Sequence, residues 1–248
     1  MFEAIVVLFF IALIGGGVLL LGKTISSAQM KLLLSFSAAY LLALTFLHLL
    51  PEVMEGHADG IGFYILIGFL LQIVLDYFSQ GIEHGHAHVH EQSGARFYWM
   101  VTISLWIHAF IEGMPFGASE DMHAGHMHQH DHGHDHEHSL LVGIAFHKFT
   151  ESFVFASLLL HLLKSKAKAW GALIMFAMIA PIGALIFHYT NGLAFLQLEH
   201  ALSVVMALLI GIILHVSTTI LFESEEGHRF NRMKFLVIII GMLCAAIL

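Results

Sequence analysis

Charge is scarce in this chain, and cysteine is almost absent. Of 248 residues only 11% are Asp, Glu, Lys or Arg, whereas 58% are hydrophobic and the mean hydropathy is +0.83. Soluble domains carry about 25% charged residues, so a water-facing surface of ordinary composition is excluded. The single cysteine, Cys244, rules out a disulfide framework and a cysteine-based zinc site, and in the last apolar run it reads as a small filler. The opening Met-Phe-Glu has no basic n-region and no convincing small-residue cleavage site follows it, so the first apolar run is expected to be a retained helix. No His-Glu-x-x-His occurs, which removes a common helical signature of zinc hydrolases.

What fills the chain instead is apolar sequence. Runs fall near 2–22, 30–50, 61–80, 97–118, 140–163, 168–190, 199–222 and 232–248. Each is long enough to cross a hydrocarbon core of about 30 Å as a helix. The fold class expected is an all-α polytopic membrane protein of eight transmembrane helices, one domain over 1–248 with the lipid bilayer as its surroundings.

Basic residues mark one side of that arrangement. Lys23 and Lys31 flank the first connection, Arg96 the third, Lys164, Lys166 and Lys168 the fifth, and Arg229, Arg232 and Lys234 the last. Cytoplasmic loops hold Lys and Arg, so these nine of ten predict that side to be cytoplasmic and both termini to lie outside. The opposite side carries Glu52, Glu55, Asp59, Glu120, Asp121, Asp131, Asp135, Glu137 and Glu199, with no Lys or Arg. The formal charge of -8 is therefore vectorial, which suits divalent metal ions as partners and not nucleic acid.

Two turns inside the apolar runs carry ionisable pairs: His108-Ala-Phe-Ile-Glu112-Gly113 in the fourth and His147-Lys148-Phe-Thr-Glu151 in the fifth. The i, i+4 spacing puts each His and its Glu on one helix face. Ionisable groups are expensive in hydrocarbon and mark ion paths where they are kept. At 1.5 Å rise per residue in oppositely directed spans, His108 and Glu151 fall about 1 Å outside the midplane and Glu112 and His147 about 7 Å outside it. Four donors thus match in level. Two carboxylates balance a divalent charge, and two imidazoles favour Zn²⁺ and its neighbours over Mg²⁺ or Ca²⁺. Gly113 and Gly117 form GxxxG on span 4, and Ser152 and Ala156 form small-xxx-small on span 5, so close approach of these two spans is expected. Pro115 between the glycines should bend span 4 and free carbonyls near the site. Gly15-Gly16-Gly17 in span 1 should permit close packing or bending.

These motifs together resemble the ZIP (Zrt- and Irt-like) family of divalent metal transporters. The likeness covers nearly the whole chain. His48-Leu-Leu-Pro51-Glu52 closes span 2 and Gly211-Ile-Ile-Leu-His215-Val-Ser217, leading to Glu223, Glu225 and Glu226, forms span 7 as is common there. The resemblance implies a ZIP-like bundle that moves Zn²⁺, or else Fe²⁺, Mn²⁺ or Cd²⁺, into the cytoplasm through the span 4 and 5 residues. Zinc is then cargo, and no organic cofactor is implied. Many members hold a second metal with a polar residue after the span 4 His, an acid after the first span 5 ligand and an acid in span 6. Here those places hold Ala109, Lys148 and no acid near Pro181, which argues against a second ion. Lys148 either offsets the carboxylates where a second cation sits elsewhere, or turns away and snorkels.

Other polar residues take pathway or interfacial roles. His48 and Glu52 share a face at the outer end of span 2 and are expected to line the metal's approach. Asp76 and His215, in the inner halves of spans 3 and 7, are expected on the exit path. His188 and His200 should be interfacial. Two histidine-rich loops stand out among 21 histidines: 83–92, with His84, His86, His88 and His90 on the cytoplasmic side, and 120–139 outside. The outer loop cannot bury a core and is expected to be disordered without metal, acting as a collector.

Competing classes fit less well. An exporter of the cation diffusion facilitator type would have six spans, His-x-x-x-Asp and a cytoplasmic C-terminal domain. An intramembrane zinc-dependent hydrolase would place a nucleophile or acid at an interface rather than donors near the midplane. A metal sensor would bind without flux. The reading is therefore a non-enzymatic metal permease of a bacterial plasma (inner) membrane. Whether two copies pair as a homodimer is left open by the sequence. If the outer loop collects metal, deleting residues 121–132 should slow uptake at limiting zinc and leave saturating uptake intact; equal uptake at both concentrations would reduce the loop to a tether.

Overall fold

In hydrocarbon no water bonds the backbone, so a spanning segment must satisfy its own N–H and C=O groups. The computed structural model describes residues 1–55, 60–79, 94–118, 133–191, 201–222 and 232–247, and all regular structure among them is helical. The helices are α1 (Phe2–Leu20), α2 (Ser27–Glu55), α3 (Ile61–Ser79), α4 (Ala95–Gly113), α5 (Gly133–Leu163), α6 (Lys166–Asn191), α7 (Ala201–Phe222) and α8 (Arg232–Ile247). Several hydroxyls inside them bond back one turn, as Thr45 Oγ1 does to the Leu41 carbonyl at 2.8 Å and Ser35 Oγ to the Lys31 carbonyl at 2.8 Å.

Among the described residues six helices, α1, α2, α3, α5, α6 and α7, are long and apolar enough to cross a membrane, and the chain is an all-α integral membrane protein. Eight spans are expected from the sequence, and α4 and α8 fall on the two remaining runs without reaching that measure. α8 has 16 residues, and Arg96, His108 and Glu112 dilute the 19 of α4. Large apolar side chains such as Phe10, Ile14, Phe63, Leu70, Ile107 and Met175 are exposed, as lipid-facing groups are.

Local chemistry sets the ends. Gly22, at φ +87°, closes α1: its N–H reaches the Leu19 carbonyl and that of Lys23 reaches Val18, a Schellman stop that only glycine adopts cheaply. Four residues on, Ser26 starts α2 with a reciprocal box, Ser26 Oγ accepting from Gln29 N at 3.2 Å and Gln29 Oε1 accepting from Ser26 N at 3.1 Å. Pro51 has no N–H for the carbonyl four residues back, and α2 widens into a π turn over Thr45–Leu49 beside it. Pro115 acts differently from expectation: α4 ends at Gly113 and continues only as a 3₁₀ turn, Met114–Gly117, so the proline terminates the helix rather than bending it. Nor does α5 begin at the apolar run. It starts at Gly133, so the last residues of the 120–139 loop are helical, because no proline or glycine between 134 and 139 interrupts the helix that follows.

Packing sorts the helices into two groups. α1 lies along α5 and α6, and α4 along α6; α3 lies along α7, and α2 along α7 and α8. The tightest crossings are made at glycine. Gly113 meets the Ala180 carbonyl, Gly117 that of Ala184, and Gly183 that of Phe110, which joins α4 to α6. Gly15 and Gly16 meet the Phe149 and Ser152 backbone of α5, and Gly68 and Gly211 join α3 to α7. The close packing expected of Gly15-Gly16-Gly17 is therefore present. The expected direct approach of spans 4 and 5 is not: their small residues face α6 and α1, and α4 and α5 make no more than glancing backbone contact. α2 and α5, and α3 and α4, connect the groups.

Buried apolar side chains form two layers. One gathers Leu20, Met30, Val101, Leu159, Ala169 and Ile220 at the end bearing Lys23, Arg96 and Lys164; the other gathers Leu8, Leu49, Phe116, Ile144 and Ala184 toward the opposite end. On α5 the layers stop at Ile144 and resume at Phe153, and residues 147–151 lie between them. Gly183→Ala places a methyl against the Phe110 carbonyl and should cost about 1–3 kcal/mol in detergent unfolding, whereas Gly171→Ala, which meets open space, should cost nothing. Equal stability of the two variants would contradict this packing.

Candidate metal centre

The slab between the layers is built by one turn each of α4 and α5. His108, Glu112, His147, Lys148 and Glu151 are each no more than 2% exposed. The helix period aims His108 and Glu112 the same way, and His108 Nε2 lies 3.1 Å from Glu112 Oε1. His147 Nε2 reaches the same oxygen from α5 at 3.7 Å, and the two imidazoles meet edge to face with centroids 5.7 Å apart. One donor atom each from His108, His147 and Glu151 lie within 4.8 Å of one another, a grouping that can hold a metal ion. Glu112 adjoins that group through both imidazoles.

Lys148 settles between its two readings by position. Its ammonium does not snorkel. It pairs with Glu112 Oε2, donates to Glu151 Oε2 at 2.6 Å, and lies 5.2 Å from the centre of the Phe176 ring of α6. A cation–π contact of this kind, shielded from water, adds to the pairing. α4 and α5 barely touch through their backbones, and this long side chain and the two imidazoles reach across between them.

The charges follow directly. Two carboxylates and one ammonium leave one negative charge, and a divalent ion turns it into one positive charge. Without Lys148 the same carboxylates would lie together uncompensated, which a low-dielectric interior resists. The simpler balance of two carboxylates against one divalent ion therefore omits a resident cation.

Sequence reasoning missed Gln72. It is a fully buried amide in α3, and its Oε1 lies 3.0 Å from His108 Nδ1. One turn further, Ser104 Oγ donates to the Leu75 carbonyl at 2.6 Å and fixes α4 against α3. The signal was present: a glutamine in an otherwise apolar span, four residues before Asp76, is as unusual as the acid that drew attention.

The expected pathway residues lie on α2, α3 and α7. His48 Nε2 lies 3.1 Å from the Ala245 carbonyl of α8, and Glu52 follows one turn on, half-buried. Asp76 is half-buried in α3, one turn beyond Gln72, and the His215 ring stands edge-on to Phe69 at 5.2 Å. His188 Nδ1 lies 3.2 Å from the Gly117 carbonyl, so one carbonyl near Pro115 is taken up by α6. Residues 83–92 with His84, His86, His88 and His90, the 120–132 stretch, Asp59, His200, Glu199, Glu223, Glu225, Glu226 and Arg229 lie outside the described residues. No protein-family model matches the chain, and no curated protein matches it.

Removing one member of a buried ion pair leaves its partners uncompensated. Lys148→Met should lower unfolding stability in detergent by about 3–5 kcal/mol, and adding Glu112→Gln to it should recover part of the loss. A Lys148→Met protein as stable as the parent would show that the ammonium does not hold the carboxylates.

Proposed function

We propose that the chain is a ZIP-like permease of eight spans, both termini outside, that carries Zn²⁺ or a similar divalent transition metal into the cytoplasm. The observation that carries this reading is the buried grouping of His108, His147 and Glu151, joined by Glu112 and balanced by Lys148. A purely structural cluster has no need of two imidazoles facing one carboxylate oxygen. An ion path does, because a dehydrated divalent ion needs several donors at once.

In this account the acidic side attracts the ion, helped by the outer histidines, and the basic side receives it. The ion is held by His108, His147 and Glu151 with Glu112 beside the imidazoles. Lys148 keeps one oxygen of each carboxylate, so the site passes between one negative and one positive charge and never carries two. A single ion per chain is expected, since the ammonium takes the place a second would need. Glycine crossings tie α1, α4, α5 and α6 into one body that includes the ligands, while α2, α3, α7 and α8 form the other. Alternating access by movement of the first body against the second is the expected cycle. The chain is placed in a bacterial plasma membrane, with Asp76 and His215 on the way in and His48 and Glu52 on the approach.

Radioactive zinc uptake into reconstituted vesicles tests this reading. The parent should accumulate zinc, and Glu151→Ala and His147→Ala should each lose about tenfold or more. Bound zinc without flux would make the protein a sensor or store. Efflux alone would make it an exporter, and hydrolysis dependent on these residues would make it an enzyme.

A further inference from the structure

We propose that Gln72 is a positioning residue for the metal centre: by accepting from His108 Nδ1–H it fixes the tautomer that presents His108 Nε2 to the ion. The inference rests on the metal-centre reading above and adds a residue from a third helix to it.

The geometry is specific. A neutral imidazole has one N–H and one lone pair, and a ligand nitrogen must supply the lone pair. Gln72 Oε1 is an acceptor only, so at 3.0 Å it demands the proton on Nδ1. Nε2, 3.1 Å from Glu112 Oε1 and on the side of His147, then presents a lone pair, and that nitrogen and the carboxylate oxygen are two acceptors that a metal ion between them would satisfy. The reversed amide would set an N–H against Nδ1, force the ring proton onto Nε2, and close that nitrogen to the ion. Metal-binding histidines commonly have such a partner behind them, most often a carboxylate or a backbone carbonyl. A carboxylate here would add a third negative charge to a slab with one ammonium. A neutral amide orients the ring without that charge. Its amide is fully buried, and the Ser104–Leu75 hydrogen bond holds α3 and α4 in the register that keeps it opposite His108.

α3 packs chiefly along α7 and less extensively on α4, whose main partner is α6. Gln72 therefore reaches His108 across the boundary between the two helix bodies. Its hydrogen bond ties the quality of the metal site to how those bodies are placed, and the site should bind best when α3 and α4 keep this register.

The test uses the full chain with the histidines of 84–90 and 123–138 changed to asparagine, so that loop binding does not mask the centre. Zinc affinity is measured by competition with a chromophoric chelator, and coordination by the visible bands of bound Co²⁺. Gln72→Met should weaken zinc about 10- to 100-fold and shift the Co²⁺ bands, and Gln72→Glu, which keeps an acceptor oxygen, should recover the bands. Unchanged affinity and bands in Gln72→Met, with binding lost in His108→Ala, would overturn the role of Gln72 and leave the metal centre standing. Equal zinc binding in parent and His108→Ala would overturn both. Should Gln72→Met fail to fold, nitrogen NMR of the zinc-loaded parent decides: a His108 ring protonated at Nδ1 and metal-bound at Nε2 supports the proposal, and the opposite tautomer overturns it.

Discussion

Everything in the interior is arranged around the ammonium of Lys148 between Glu112 and Glu151. Two carboxylates on neighbouring helices would repel in an apolar surrounding, and neither could stay charged at that depth without a partner. One lysine from the next position after His147 bridges them, and the Phe176 ring closes the far side. The consequence is a polar slab one or two helical turns thick, bounded by apolar layers toward either end. Such a slab can exist in a membrane because its charges nearly cancel.

The backbone serves that slab indirectly. α4 and α5 carry the ligands yet hardly touch; each is seated by other helices, α4 on α6 and α5 on α1 and α6, through glycines that let carbonyls come close. Long side chains fill the space left between them. The second set of helices reaches the ligands through α3, where Gln72 and Leu75 meet His108 and Ser104.

Much of this was legible in the sequence, and the parts that were not share one cause. Periodic apolar runs located the helices, and i, i+4 spacing put His108 with Glu112 and His147 with Glu151 because both signals are local. Lys148 was noticed as an exception, yet its direction depends on what faces it from α4 and α6. The GxxxG of Gly113 and Gly117 was read correctly as a close crossing and assigned to the wrong partner, since a small-residue stripe says that a neighbour comes near and not which one. Pro115 was read as a bend and is a stop, because the glycines around it offer no reason to resume the helix. Gln72 escaped since a lone amide has no spacing to betray it; its meaning lies in the ring it faces 36 positions away.

X-ray absorption at the zinc edge most directly tests whether donors of α4 and α5 share one ion. In the chain with its loop histidines replaced by asparagine, the account predicts one zinc per chain with two imidazole nitrogens and carboxylate oxygen at about 2.0–2.2 Å, the imidazole signal halving in His147→Ala. A protein that binds no zinc after that replacement, or whose spectrum is unaltered by His147→Ala, would contradict it.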